Sequence, residues 1–118
     1  MSKAKKPSVA ILHYSCPPVI GGVEFVIQAH ARLLADAGYK TKLIVGSGDK
    51  VHLKADTVVI PEIVSKGGPL HQTLATLADG LLPNSFDSGV ARTEAKLRSA
   101  LQGVDVCMMH NVLLYNFQ

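Results

Sequence analysis

Aromatic residues and cysteines are scarce in this sequence. Tryptophan is absent, aromatic side chains make up 5% of the 118 residues, and the only cysteines are Cys16 and Cys107. Proteins that bind nucleic acid usually combine a basic stripe with aromatic side chains, but the net charge here is only +3. We therefore expect no nucleic-acid partner. Two distant cysteines cannot form the dense disulfide framework of a small secreted domain, so free thiols in a reducing compartment are expected.

Membrane-spanning segments, export signals and metal motifs are also missing. The sequence has no run of about 18 apolar residues, and residues 1–8 lack the apolar region of a signal peptide. These absences favour a cytoplasmic location. Residues 1–7 are interpreted as a flexible basic tail, with weak peripheral contact to the anionic inner face of a membrane as an open alternative. The five histidines show no H-x-x-x-H spacing and no C-x-x-C accompanies them, so no metal site is predicted.

Hydrophobic residues make up 47% of the chain and charged residues 18%, which is typical of one folded domain, here residues 8–118. The apolar run from Ser8 to Tyr14 predicts a first, buried strand. Helical spacing of apolar residues predicts a helix from about Val23 to Ala37, ended by Gly38, and a second strand follows at Leu43 to Val45. This βαβ order predicts parallel strands with the helix on one face.

The rest of the sequence continues the alternation of strands and helices. Thr57 to Ile60 is a predicted strand near the sheet edge, and Val104 to Met109 is the predicted last strand. Two more helices are predicted between them. The first runs from Pro69 to Pro83 with a buried leucine stripe, and the second runs from an N-cap at Asp87 or Ser88 to Gly103, marked by Val90, Leu97 and Leu101. The fold class is therefore α/β, a Rossmann-like three-layer α/β/α half-domain with a mainly parallel sheet of about four strands.

Two segments are predicted to meet at the carboxyl ends of the strands, where doubly wound sheets bind ligands. Gly21 and Gly22 precede the first helix, whose N-terminal amides and dipole favour an anion. His110 follows the last strand. Neither G-x-G-x-x-G nor a P-loop motif is present, so the glycines predict a phosphate contact without defining a nucleotide fold.

The segment Pro17-Pro-Val-Ile-Gly-Gly-Val-Glu24, with the helix and strand that follow to Val45, resembles the start of retaining "group 1" glycosyltransferases. The later Gly103-Val-Asp-Val-Cys-Met-Met-His-Asn111 resembles that family's strand ending in histidine. The resemblance implies a GT-B fold, of which this chain would be the N-terminal, acceptor-side domain. It also implies sugar transfer from a nucleotide-sugar donor, bound as substrate with no tightly held cofactor, to a small-molecule or glycan acceptor.

The resemblance further implies roles for individual residues. Gly21 and Gly22 would lie near the donor phosphates and the acceptor, and His110 would approach the transferred sugar as the catalytic-site residue. Glu24 fits the family's Gly-Gly-x-Glu pattern, although a carboxylate that stabilises the first helical turn is the favoured interpretation. The family's second domain carries two glutamates eight residues apart, a pair that this sequence lacks. We therefore expect a fragment, truncated within the apolar stretch Val112 to Phe117, that is inactive without a partnering C-terminal nucleotide-binding domain.

Two other functions remain open from the sequence. The chain could be a non-catalytic Rossmann-like binding or assembly module that self-associates through Val112 to Phe117. It could also be a small dinucleotide-binding oxidoreductase domain, because Asp49 follows the second strand. His13 is interpreted as a core or rim residue, and Asp105 as a structural one.

Overall fold

The structure is a computed structural model that describes residues 6–15, 21–49, 54–63, 78–81 and 86–110. Four strands and two long helices account for most of these residues. In chain order they are β1 (Val9–Ser15), α1 (Gly22–Asp36), β2 (Thr41–Ser47), β3 (Ala55–Val59), α2 (Phe86–Ala100) and β4 (Val106–Met109), with a short 3-10 turn at Pro61–Ile63 after β3.

The four strands form one parallel sheet in the order β3-β2-β1-β4. Strand β1 is central: Leu12 aligns with Ile44 of β2 on one side and with Met109 of β4 on the other. Strand β3 lies at an edge, as its sequence position predicted. The chain adds β2 and β3 on one side of β1 and then places β4 on the other, so the direction of strand addition reverses between β1 and β4.

The two helices cover opposite faces of the sheet, which gives three layers. On one face Ile11 and Leu43 pack against Ile27 and Ala31 of α1. On the other face Ala10, Leu12 and Ile44 form a cluster with Ala100 at the end of α2. Alternate residues of β1 point to opposite faces, and both faces are buried, which explains why β1 is continuously apolar from Val9 to Leu12. The Rossmann-like α/β class is confirmed.

The end of α1 follows the predicted glycine signal. Gly38 has φ +90, and its amide donates to the carbonyl of Ala35 while the amide of Tyr39 donates to that of Leu34. This is a Schellman arrangement, in which glycine takes the left-handed backbone conformation that side chains disfavour. The chain then turns directly into β2.

Some predicted boundaries differ from the structure. Helix α2 begins at Phe86, so Asp87 and Ser88 lie inside its first turn and are not its N-cap. Val90 is 48% exposed and does not belong to the core, whereas Leu97 and Leu101 pack against it. Leu81, the last leucine of the stripe predicted to be buried between Pro69 and Pro83, is 63% exposed, because it follows the turn at Asp79 and Gly80 rather than a continuing helix.

Several predictions fall on residues that the structure does not describe. They are most of the helix predicted from Pro69 to Pro83, with Leu70, Leu74 and Leu77 of its leucine stripe, and also Cys16 and the apolar segment Val112 to Phe117. Of the basic tail, the described part shows the Lys6 ammonium donating to the carbonyl of Ala37 and lying 5.1 Å from the centre of the Tyr39 ring. Among the described helices, none is both long and apolar enough to cross a membrane.

A buried carboxylate fastens the segment after β3 to α2. Glu62 is 7% exposed and accepts hydrogen bonds from the Lys96 ammonium at 2.6 and 3.0 Å, with Arg92 at 4.0 Å. The hydrogen bond from Lys96 lowers the pKa of Glu62 from its usual 4.5, more than burial raises it. A carboxyl with a lowered pKa stabilises the fold above the unfolded-state value, and this stability is lost as the pH falls through the folded-state pKa.

We expect Glu62→Gln to lower the free energy of unfolding by about 1 kcal/mol at pH 7, because Lys96 loses its charged acceptor. The difference from wild type should shrink as the pH falls below 4.5. Glu94→Gln is the matched control, because Glu94 pairs with Arg98 at 2.8 Å on the exposed side of α2. Urea unfolding at pH 7 and pH 3 measures both; equal losses for the two variants would contradict this assignment.

Candidate functional site at the carboxyl ends of the central strands

The candidate site lies where β1 and β4 end, at the point where the order of strand addition reverses. In open parallel sheets a crevice forms there, because the chain leaves neighbouring strands toward opposite faces. In this protein the amide of His110 donates to the carbonyl of Leu12 at 3.0 Å, which holds the exit of β4 beside the end of β1. The glycine turn before α1 reaches the same end of the sheet.

Glu24 connects the first turn of α1 to β1. It belongs to the buried stripe of α1 together with Ile27, Ala31 and Ala35, and it is 7% exposed. The Ser15 hydroxyl donates to Oε1 of Glu24 at 2.6 Å. The carboxylate therefore lies between helix and strand rather than in solvent, which is more than the helix-stabilising role that its first-turn position suggested.

The two glycines of the turn differ in what surrounds them. A Cβ atom on Gly21 would come closer than 3.0 Å to Oε2 of Glu24 and would lie 3.1 Å from its Cδ, whereas a Cβ on Gly22 would meet nothing within 4 Å. The backbone of Gly21 is extended, with φ 180, so glycine is not required there by conformation. Gly21 instead leaves room for the Glu24 carboxylate, and Gly22 leaves open space at the start of the helix.

His13 lies at the centre of the site and is completely buried. Its Nδ1 is 3.4 Å from the carbonyl oxygen of His110, and its Nε2 is 3.7 Å from Oε1 of Glu24. The latter separation exceeds a hydrogen bond, and among the described residues Nε2 has no hydrogen-bond partner. The Tyr14 ring lies with its centre 3.9 Å from that of His13. One imidazole thus contacts both the helix start and the exit of β4.

Two further histidines border this centre. The His110 ring is 6.3 Å from the His13 ring and 6.1 Å from the ring of His30 on α1, measured between centres. His110 and His30 are both half-buried. Three imidazoles therefore line the junction of β1, β4 and α1. Within the described ranges, however, no three histidine, cysteine, aspartate or glutamate side chains form a group that could hold a metal ion.

The pKa values of the two buried groups shift in the same direction for different reasons. Burial lowers the pKa of His13 from 6.5, and the His110 carbonyl and the Glu24 charge only partly restore it. Burial would raise the pKa of Glu24 from 4.5, but the Ser15 hydroxyl, a backbone amide and His13 together lower it. At neutral pH the pair therefore consists of an ionised carboxylate beside an uncharged imidazole.

The structure brings the three predicted site residues to one end of the sheet. The Glu24 carboxylate fills the space that a Cβ on Gly21 would need, Gly22 is exposed beside it, and His110 is joined to them through His13. Their roles in binding and catalysis remain predictions. Ser15 and His13 also belong to this site, although neither was predicted to from the sequence.

Other residues weighed from the sequence lie elsewhere. Asp105 is structural, as predicted: its Oδ2 accepts the amide of Ser8 at 2.8 Å, at the amino ends of β1 and β4. Cys107 is a free thiol whose pKa is raised by burial. A surface pocket at that same amino end is lined by Lys6, Lys40 and Asp105 among others. It is basic, but it lies at the opposite end of the sheet from the candidate site.

Comparison with known proteins adds no relative: no family model, no curated protein and no solved structure matches the chain. The fold and the site together define a Rossmann-like α/β half-domain with a polar, histidine-rich junction at the carboxyl end of its central strand.

Proposed function

We propose that this chain is the acceptor-side domain of a retaining glycosyltransferase that takes its sugar from a nucleotide-sugar donor. One observation carries the proposal: His13 lies within 3.7 Å of Glu24 in the first turn of α1 and 3.4 Å from the carbonyl of His110. The glycine turn and the exit of β4 therefore border one site. The sequence resemblance assigns the donor phosphates to the first segment and the transferred sugar to the second.

Glycosyl transfer places two requirements on such a site. The bond between the anomeric carbon and the diphosphate oxygen breaks, the diphosphate leaves with the electron pair, and the acceptor oxygen bonds to the carbon and loses its proton. Groups that stabilise charge on the departing diphosphate and hold both substrates in line speed this reaction. The first amides of a helix have no carbonyl partner within it. In α1 the amide of Glu24 already bonds its own carboxylate, and the amides before it are suited to the first requirement. His110 is suited to hold the sugar.

A sugar-transfer assay tests the proposal. The proposal requires a second domain that binds the nucleotide, so the chain is extended with the coding sequence that follows Gln118. The extended protein is incubated with uridine, guanosine and adenosine diphosphate sugars. We expect release of nucleoside diphosphate with at least one donor, and no release by the 118-residue chain alone. Absence of release with every donor and a broad acceptor panel, or a coding sequence that stops at Gln118, would contradict the proposal.

A second candidate, an assembly module without catalysis, is favoured by exposed apolar side chains. Phe25 and Leu33 of α1 are each 67% exposed, and Val106 and Met109 of β4 are 45% and 58% exposed. Apolar surface of this kind is often covered by a partner. If it mediates self-association, light scattering at millimolar concentration should give the mass of a dimer or larger, and Phe25→Ser should restore the monomer. A monomeric wild-type chain would remove this candidate.

A further inference from the structure

The two contacts of the His13 imidazole need one proton more than a neutral imidazole and an ionised Glu24 carboxylate carry. The His110 carbonyl can only accept, so the contact at Nδ1 is favourable when Nδ1 carries the proton. A neutral imidazole then presents the lone pair of Nε2 to the Glu24 carboxylate, which also only accepts. In the opposite tautomer Nε2 carries the proton and faces the carboxylate, but the lone pair of Nδ1 then faces the lone pairs of the His110 carbonyl. One additional proton, on either His13 or Glu24, satisfies both contacts at once.

Few groups around His13 could share this additional proton with it. Glu24 comes from α1, His110 follows β4, and Tyr14 is the neighbour of His13 in β1, while His30 of α1 lies against the ring of His110. Glu24 is the only carboxylate among these groups. The Ser15 hydroxyl already donates to Glu24 at 2.6 Å. Because Nε2 is buried and has no hydrogen-bond partner among the described residues, a proton taken up by the pair would lie between the His13 and Glu24 side chains.

The same carboxylate conflicts with an anion at the glycine turn. Oε2 of Glu24 lies against Gly21, so a diphosphate bound to the first amides of α1 would be placed near a second negative charge. Like charges within about 4–6 Å disfavour each other's ionisation. Uptake of one proton by the pair removes the net charge of the carboxylate and restores the anion-binding character of the turn.

We propose that His13 and Glu24 form a proton-coupled pair, such that an anion binding at the Gly21–Gly22 turn is accompanied by the uptake of one proton. The inference rests on the diphosphate contact in the proposed function and adds its regulation: donor affinity falls as the pH rises. In this proposal Glu24 and His13 are positioning residues that set the charge of the turn.

The test uses pyrophosphate and the 118-residue chain. Nuclear magnetic resonance titration of the His13 imidazole between pH 4 and 8 gives its pKa with and without pyrophosphate, and amide shifts at Gly21 and Gly22 give the affinity. We expect bound pyrophosphate to raise the pKa of His13 by about one unit, which corresponds to a roughly tenfold loss of affinity across the titration. Glu24→Gln should lower the pKa of His13 in the free chain and strengthen binding at pH 8.

Pyrophosphate itself titrates in this range, so the affinity of wild type is divided by that of Glu24→Gln at each pH, which cancels the probe's own ionisation. Glu94→Gln, on the exposed side of α2, is the control and should behave as wild type.

If Glu24→Gln fails to fold, the pKa of His13 in wild type, measured with and without pyrophosphate, decides alone. Shifts at Gly21 and Gly22 with an unchanged pKa of His13 would overturn the inference but not the proposed function. Absence of those shifts at every pH would contradict the phosphate contact itself, and the inference with it.

Discussion

Gly21→Ala is expected to lower the free energy of unfolding by about 2 kcal/mol, in the range found when a buried charged group loses its hydrogen bond. The new methyl group would occupy the space of the Glu24 carboxylate, which would have to move away from Ser15 and His13. The Ser15 hydroxyl, which is almost fully buried, would then lose its acceptor. Urea unfolding followed by circular dichroism measures the change.

The neighbouring glycine provides the matched control. A Cβ on Gly22 meets open space, and alanine is the better helix former, so Gly22→Ala should leave the stability unchanged or raise it by up to about 0.5 kcal/mol. The pair of variants separates the specific contact with Glu24 from a general need for backbone freedom in the turn. Equal destabilisation by both substitutions would show that the turn, and not the carboxylate, requires glycine.

His110→Ala is expected to reduce sugar transfer by about 100-fold in the protein that includes the second domain, the size of effect seen when one positioned polar group is removed from a reacting centre. His110 is the predicted contact to the transferred sugar, and its backbone carbonyl, which contacts His13, is retained in the variant. The substitution therefore removes the imidazole while keeping the exit of β4. Steady-state release of nucleoside diphosphate measures the effect.

Two further variants make this result specific. His110→Gln keeps a side chain that donates hydrogen bonds and should recover part of the lost activity. Arg98→Ala lies on the exposed side of α2 and should be neutral. A His110→Ala protein that turns over at the wild-type rate would remove His110 from the mechanism.

The order of the described strands and of the two long helices could be predicted because each strand is a short apolar run and α1 carries its apolar residues at helical spacing. Gly38 marked the end of α1 because only its left-handed conformation completes the Schellman turn. The start of α2 could not be located in the same way. Asp87 and Ser88 are both good N-cap residues, and neither holds that position because the helix starts at Phe86. Leu81 was misjudged because leucine spacing alone does not reveal where a helix turns into a loop.

The centre of the candidate site was missed because each of its residues had an ordinary explanation when taken alone. His13 and Ser15 continue the face of β1 on which Ile11 packs against α1, and Glu24 continues the buried stripe of α1 toward its N-terminus. Two apolar stripes that both become polar at the same end of a βαβ unit predict a buried polar contact there. The sequence contained that signal, but the pairing of Glu24 with Ser15 depends on the register between helix and strand, which spacing does not determine.

The location of anion binding tests the central claim most directly, because the chain has a candidate site at one end of the sheet and a basic pocket with Lys6 and Lys40 at the other. Amide shifts of the isotopically labelled chain are recorded at pH 6 with uridine, guanosine and adenosine diphosphate sugars. We predict saturable shifts at Gly21, Gly22 and His110 with at least one of them. Shifts confined to Ser8, Lys40 and Gly103, or none with any donor, would contradict the claim that the glycine turn and the exit of β4 form one donor site.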